Sequence, residues 1–196
     1  MRYIRKGILF LRSPQRGFDN EKEKGLKESF KYVLALAIIL AVLGALVSTS
    51  MLSFLSSVMS IPLPFDLPVL FLRSLVLNYV MTVAGLIIWS LWLHLWAYVF
   101  GARNGLVQTM KSVFYGGTPN YMFGWIPVFS IIAMIWSWFL TGIGLIRLQG
   151  INSEKAALAI IIAIAIPLII AAVYLASMVF ALLAFNPMSA PAFPGY

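Results

Sequence analysis

The sequence predicts an all-α, polytopic transmembrane helical bundle of five spans, with the N-terminus cytoplasmic and the C-terminus outside. Three observations carry that reading. The 196 residues are 62% hydrophobic and only 10% charged, with a mean hydropathy of +0.96, outside the range of a water-soluble domain. The apolar residues fall in runs of about twenty, long enough to cross a hydrocarbon core. Lys and Arg gather before and between those runs, as cytoplasmic flanks do.

A basic segment, 1–31, comes first and holds nine of the fourteen Lys and Arg residues. Its opening stretch mixes Ile4, Ile8 and Leu11 with Arg2, Arg5 and Lys6. Such a partly amphipathic segment is expected to lie on an anionic leaflet, with Arg2, Arg5, Lys6, Arg12 and Arg16 toward the lipid headgroups. The apolar run Ile8 to Leu11 is too short for a cleavable signal, and no small-residue cleavage site follows. The segment is therefore expected to be retained.

The membrane domain follows over 32–185. Span one is expected over about 34–55, entered from Lys31-Tyr32. A linker over 56–68 carries three prolines and Asp66, the last placed to cap span two over about 69–100, which stops at Gly101. The third segment, about 106–123, is shorter and more polar, carries Lys111, and is interrupted at Gly116-Gly117-Thr118-Pro119. Spans four and five are expected at about 126–148 and 156–185, the last kinked at Pro167. A Pro-rich tail, 186–196, is left outside.

Charge decides the third segment. If it crosses, Arg103 and Lys111 flank one cytoplasmic turn and Arg147 and Lys155 another, while the opposite side holds no Lys or Arg except Arg73, which snorkels outward. If it does not, Arg147 and Lys155 fall outside. Five crossings are therefore expected, in an integral, multi-pass membrane protein, of the cell membrane if the source is prokaryotic. The formal charge of +8 then reads as topology and anionic-lipid attraction, and nucleic acid is not an expected partner.

The residue inventory argues against catalysis. There is no cysteine, which removes thiolate nucleophiles and thiolate metal sites. All six acidic residues lie outside the spans, so neither a carboxylate-coupled transport step nor an aspartyl dyad is available there. His94 is the single histidine, too few for a bis-histidine haem or a paired-histidine zinc site, and no Gly-x-Ser-x-Gly elbow accompanies a serine. No enzyme activity, cofactor or metal is expected.

Three features remain as candidate functional positions. The break at Tyr115, Gly116, Gly117, Thr118 and Pro119 interrupts a helix, with Thr118 able to cap a new one; backbone groups freed at membrane depth must be buried in protein or line a polar cavity. His94 lies at interface depth among Trp89, Trp92 and Trp96, where a neutral imidazole hydrogen-bonded between helices is the plainer reading and proton sensing the sharper one. Ala37, Ala41, Ala45, Thr49 and Ser53 recur at every fourth position of span one, a stripe that lets helix backbones approach in lipid. Lys111 reads as an end charge that snorkels.

Several local patterns also fall in the order found in one family. Ile8-Leu9-Phe10, Ser13-Pro14 and Phe18 open the chain; His94-Leu95-Trp96, Gly101, Gln108-Thr109, Tyr115 and Thr118-Pro119 follow; Trp136, Gly144-Leu145, Ile151 and Lys155-Ala156 close it. Over roughly residues 8–170 the sequence resembles the Yip-domain (Ypt-interacting protein) family of five-span integral membrane proteins, in its prokaryotic-type branch. The resemblance implies a five-helix domain with a cytosolic N-terminus. Eukaryotic members act in early secretory traffic and contact Rab-type GTPases, generally with a longer N-terminal region and an Asp-Leu-Tyr-Gly-Pro motif, neither of which stands in this sequence. Rab binding is thus not expected. The function expected is that of a non-enzymatic membrane scaffold, adaptor or accessory subunit acting through contacts with other membrane proteins or with itself. The rival is a small-solute carrier or channel using the broken third helix.

Overall fold

The computed structural model describes residues 2–63 and 65–184; the tail expected over 186–196 and the last residue of the expected fifth span lie outside the described residues. All regular structure in the described residues is helical. Among the described residues, four helices are long and apolar enough to cross a membrane.

Two short helices, α1 (Arg2–Arg12) and α2 (Pro14–Glu21), precede the long ones. Ser13-Pro14 sets the boundary, since proline at the first helical position costs no hydrogen bond and has its φ already fixed. Helix α3 (Leu26–Met59) and helix α4 (Leu67–Val99) follow as an antiparallel pair. At about 1.5 Å per residue each is roughly 50 Å long, well beyond a bilayer core. Ser60, at φ 54°, ends α3. Asp66 stands at the cap position of α4, but its side chain makes no capping hydrogen bond; its carbonyl accepts from Leu70 N–H instead.

The third segment folds as α5 (Leu106–Gly116) and α6 (Thr118–Phe123), joined at Gly117 with helical dihedrals. It is the core of the first unit: α5 packs against α3, α4 and α7, and every residue from Lys111 to Pro119 is buried. Helix α7 (Phe129–Gly144) runs into a π-helical turn, Leu145–Gln149, and then α8 (Ser153–Ala184), which carries Pro167 in its interior. Outward-facing residues of α7, among them Ile131, Ile135 and Phe139, are exposed and apolar, as a lipid-facing surface requires.

The chain divides into two compact units, Met1–Ile160 and Ile161–Tyr196. In the second, the described part is the apolar remainder of α8, with Leu168 through Leu182 exposed along its length. In the first, small residues set the helix spacing. Ala37, Ala41 and Ala45 are buried, Thr49 and Ser53 half-buried, and at this level α3 lies on α4: a Cβ on Gly44 would meet Asn78 Nδ2 at 3.4 Å. The crossing of α5 and α7 is tighter. A Cβ on Gly116 would stand 2.8 Å from the backbone N and Cα of Thr141, and one on Gly144 would stand 2.8 Å from Ser112 Cβ.

Candidate functional site

At the end of the first unit where α1 and α2 dock, the polar and aromatic residues of the chain converge. The docking surface is aromatic. Phe10 and Phe18, two large apolar residues of the charged N-terminal segment, are both fully buried. Phe10 stacks on Tyr115 at 4.6 Å between ring centroids and meets Phe18 edge-on at 5.0 Å; Tyr32 of α3 closes on Tyr115 at 5.0 Å. Gly17 lies flat against the Phe10 ring, where a Cβ would come within 2.8 Å.

An ionic network sits on that stack. Glu21 is buried, and its Oε2 accepts from Lys6 Nζ at 2.8 Å and from the Tyr115 hydroxyl at 2.8 Å; Oε1 accepts from Lys24 Nζ at 2.9 Å. Lys6 also donates to the Tyr115 hydroxyl at 3.1 Å. Burial alone would raise the Glu21 carboxyl, but hydrogen bonds from Lys6, Lys24 and Tyr115 outweigh it and hold the group below the usual carboxylate range. A charge buried this far is tolerated only when paired and hydrogen-bonded, and both carboxylate oxygens are.

Two sequence expectations change here. Lys6 is not an exposed cation like Arg2, Arg5, Arg12 and Arg16: its side chain is only 15% exposed, because Glu21 and Tyr115 draw it inward. Lys111 does not snorkel. It is buried and donates to the carbonyls of Lys22 and Lys24 at 2.9 and 2.8 Å, closing the C-terminal end of α2, where free carbonyls and the helix dipole favour a cation.

The break is satisfied from within. Thr118 does not cap α6; Gly117 holds the cap position and no side-chain capping bond is made. The Thr118 hydroxyl donates instead to the Tyr115 carbonyl at 2.5 Å, which makes the Tyr32 hydroxyl the donor in its 2.7 Å contact with Thr118 Oγ1. Tyr121 folds its ring over Gly117, where a Cβ would collide with it, and donates to the Phe114 carbonyl at 3.1 Å. Pro119, with no N–H, adds no unmet donor. The carbonyls of Phe114 and Tyr115 are thus met by protein hydroxyls.

His94 joins a second network about two turns of α5 away. Its Nδ1 lies 2.8 Å from Thr109 Oγ1. Gln149, at the end of the π-helical turn, donates to Thr109 Oγ1 at 2.8 Å and to the Gly105 carbonyl at 2.7 Å, while its Oε1 accepts from Asn104 N–H at 3.0 Å. The network fastens α4, the start of α5 and the π-helical turn together, with Gly101 and Gly105 at φ +103° and +85° shaping the loop between. On the other flank, Arg147 donates to Gln15 at 2.9 Å and faces Asp19 at 3.8 Å.

Sequence reasoning singled out Tyr115, Thr118 and His94 and missed Glu21, Lys6 as its partner, and Gln149. The available signal was Phe10 and Phe18 at eight-residue spacing in a charged segment, which implies that the segment is packed against something. Among the described residues, no group of His, Asp and Glu is placed to hold a metal ion.

The residues that converge here, Phe10, Phe18, His94, Thr109, Tyr115 and Thr118, are among those whose order along the chain carries the family resemblance. A family model described as Yip1 domain matches residues 8–186. No curated protein and no solved structure gave a match. The match covers nearly the whole chain, from the second half of α1 through α2 and the four long apolar helices among the described residues, so this multi-pass membrane protein belongs to the Yip1 domain family.

Proposed function

We propose that this chain is a non-enzymatic membrane scaffold or adaptor of five spans, with α1 and α2 on the cytoplasmic side, that works by holding other membrane proteins against its apolar helix faces. The observation that carries this reading is how the polar chemistry is distributed. The buried ionisable groups are engaged with one another or with backbone carbonyls, and the carbonyls at the third-segment break are engaged too. The α3–α4 pair, by contrast, presents large apolar side chains toward its far end, including Phe54, Val58, Leu72 and Met81, each more than half exposed. Contiguous apolar surface in a membrane protein is available to lipid and to partner helices alike.

Five crossings are supported by the position of the basic loops. The start of α5, the π-helical turn and the start of α8 all lie beside the N-terminal helices or the end of α4: Lys111 reaches Lys22, Arg147 reaches Gln15, and Lys155 Nζ is 3.8 Å from the position of a Cβ on Gly101. Lys and Arg gathered at one end mark the cytoplasmic side. The α5–α6 segment, about 27 Å long at helical rise, is short for a span but shielded by its neighbours.

Photo-crosslinking in the native membrane tests the adaptor role. A crosslinking residue at Phe54 or Val58 is expected to trap a specific membrane protein, and one at the buried Ala41 is not. Crosslinks to lipid alone at both exposed positions would contradict it, and flux of a small solute through liposomes that Thr118→Val abolishes would favour a carrier instead.

A further inference from the structure

The N-terminal docking creates an open groove of about 490 Å³ beside the buried Lys6–Glu21 pair. One wall is a single face of α1: Arg2, Arg5, Lys6 and Leu9 follow the three- and four-residue spacing that aligns side chains on a helix. The other wall is the end of α2 and the turn beyond it, with Asn20, Glu21 and Lys24. Four cationic side chains thus face one carboxylate, and that carboxylate is already engaged by Lys6, Lys24 and Tyr115. Among the described residues, one of the two guanidinium groups is unpaired and the other is held only by a long ion pair. Arg5 is exposed and has no acceptor among the described residues, and Arg2, with a 79% exposed side chain, comes no closer than 3.7 Å to Glu28. Paired guanidinium groups with an amide beside them match a phosphate, which accepts forked hydrogen bonds.

The depth of the groove selects the source of that phosphate. Lys6 Nζ lies 5.7 Å over the Tyr32 ring and Tyr3 meets the same ring at 6.4 Å. Tyr32 follows Lys31, the last charged residue of α3, and opens the uncharged run that continues through Leu34, so the groove stands where α3 passes into the bilayer. Ile4 and Ile8 occupy an adjoining face of α1 and are 46% and 40% exposed, an apolar strip suited to the acyl boundary beneath a headgroup. We infer that the groove binds the phosphate of one anionic phospholipid, gripped by Arg2 and Arg5 beside Asn20, with Ile4 and Ile8 against its upper acyl chain. This site is independent of the adaptor role.

The test uses the full chain in nanodiscs of phosphatidylcholine with a minority of phosphatidylglycerol, the retained lipid being identified by native mass spectrometry. The wild type is expected to keep one phosphatidylglycerol per chain. Arg2→Gln with Arg5→Gln should lower that retention about tenfold, and Arg12→Gln with Arg16→Gln, which removes the same charge outside the groove, should leave it unchanged. Both pairs are changes of exposed side chains, and equal Tm values in pure phosphatidylcholine verify that the fold is intact. Equal loss in the two double variants would mean diffuse attraction and overturn the proposal, as would equal retention of phosphatidylcholine. Inorganic phosphate raising Tm in phosphatidylcholine discs as far as phosphatidylglycerol does would assign the groove to a free phosphate and overturn the lipid.

Discussion

Glu21 is the residue on which the N-terminal docking turns. Its carboxylate joins Lys6 of α1, Lys24 of the following turn and Tyr115 of α5, so its loss leaves an ammonium group buried without a counter-charge. Glu21→Gln is expected to destabilise the protein in detergent by about 3 kcal/mol, and adding Lys6→Met should recover part of that loss, because a buried ion missing one partner costs more than an apolar replacement of both. Denaturant unfolding of the two single variants and the double variant reads this directly; simple additivity would contradict it. The sign with pH follows from the depressed carboxyl. A group held below its usual value of 4.5 stabilises the fold above that pH and loses its contribution as pH falls through the folded-state value. Tm should therefore fall below about pH 4.5 in the wild type and more shallowly in Glu21→Gln; parallel curves would remove Glu21 from the account. Tyr115→Phe keeps the stack on Phe10 and removes the hydroxyl that donates to Glu21, at an expected cost of about 2 kcal/mol for a hydrogen bond to a charged group.

Among the elements, the crossing of α5 and α7 is the least forgiving. Gly116→Ala drives a methyl group into the Thr141 backbone, 2.8 Å away, and should cost about 3 kcal/mol as the helices are forced apart. Gly85 in α4 has open space around it, so Gly85→Ala should be neutral or stabilising by up to about 1 kcal/mol through helix propensity. Equal Tm changes in the two variants would show that the crossing does not need a glycine. The long elements are legible in the sequence because lipid leaves one solution, an uncharged helix, and its ends fall within several residues of where charge resumes. Helix α3 starts at Leu26 and not near Leu34 because Ser29, Tyr32 and Val33 are buried, so the helix begins in the docked N-terminal layer before it meets lipid. The docking itself was hidden. A charged side chain at Lys6, Glu21 or Lys111 reads as solvent-facing until its partner is known, and, Lys24 apart, those partners lie 15 to 109 residues away in sequence. Tyr115 and Thr118 stood out as flanks of a break, but the Tyr121 hydroxyl that meets the Phe114 carbonyl and the Tyr32 hydroxyl that backs Thr118 are marked by no local pattern.

Within the first unit, the paired charges gather where α1 and α2 dock, and apolar surface is left along the long helices. A chain without cysteine allows a clean check of its topology. Single replacements Asn104→Cys and Asn152→Cys are expected to react with an impermeant maleimide only from the cytoplasmic side, and Ser60→Cys and Ser130→Cys only from the other; labelling of Ser130→Cys from the cytoplasmic side would reduce the crossings from five. The adaptor role itself is tested most directly by native mass spectrometry of the chain, tagged at its N-terminus and purified gently from its own membranes. A reproducible, stoichiometric membrane-protein partner, lost when Phe54 and Val58 are both replaced by Ala, is the predicted result. A chain recovered alone in every preparation, with all its lipid-facing surfaces intact, would contradict it.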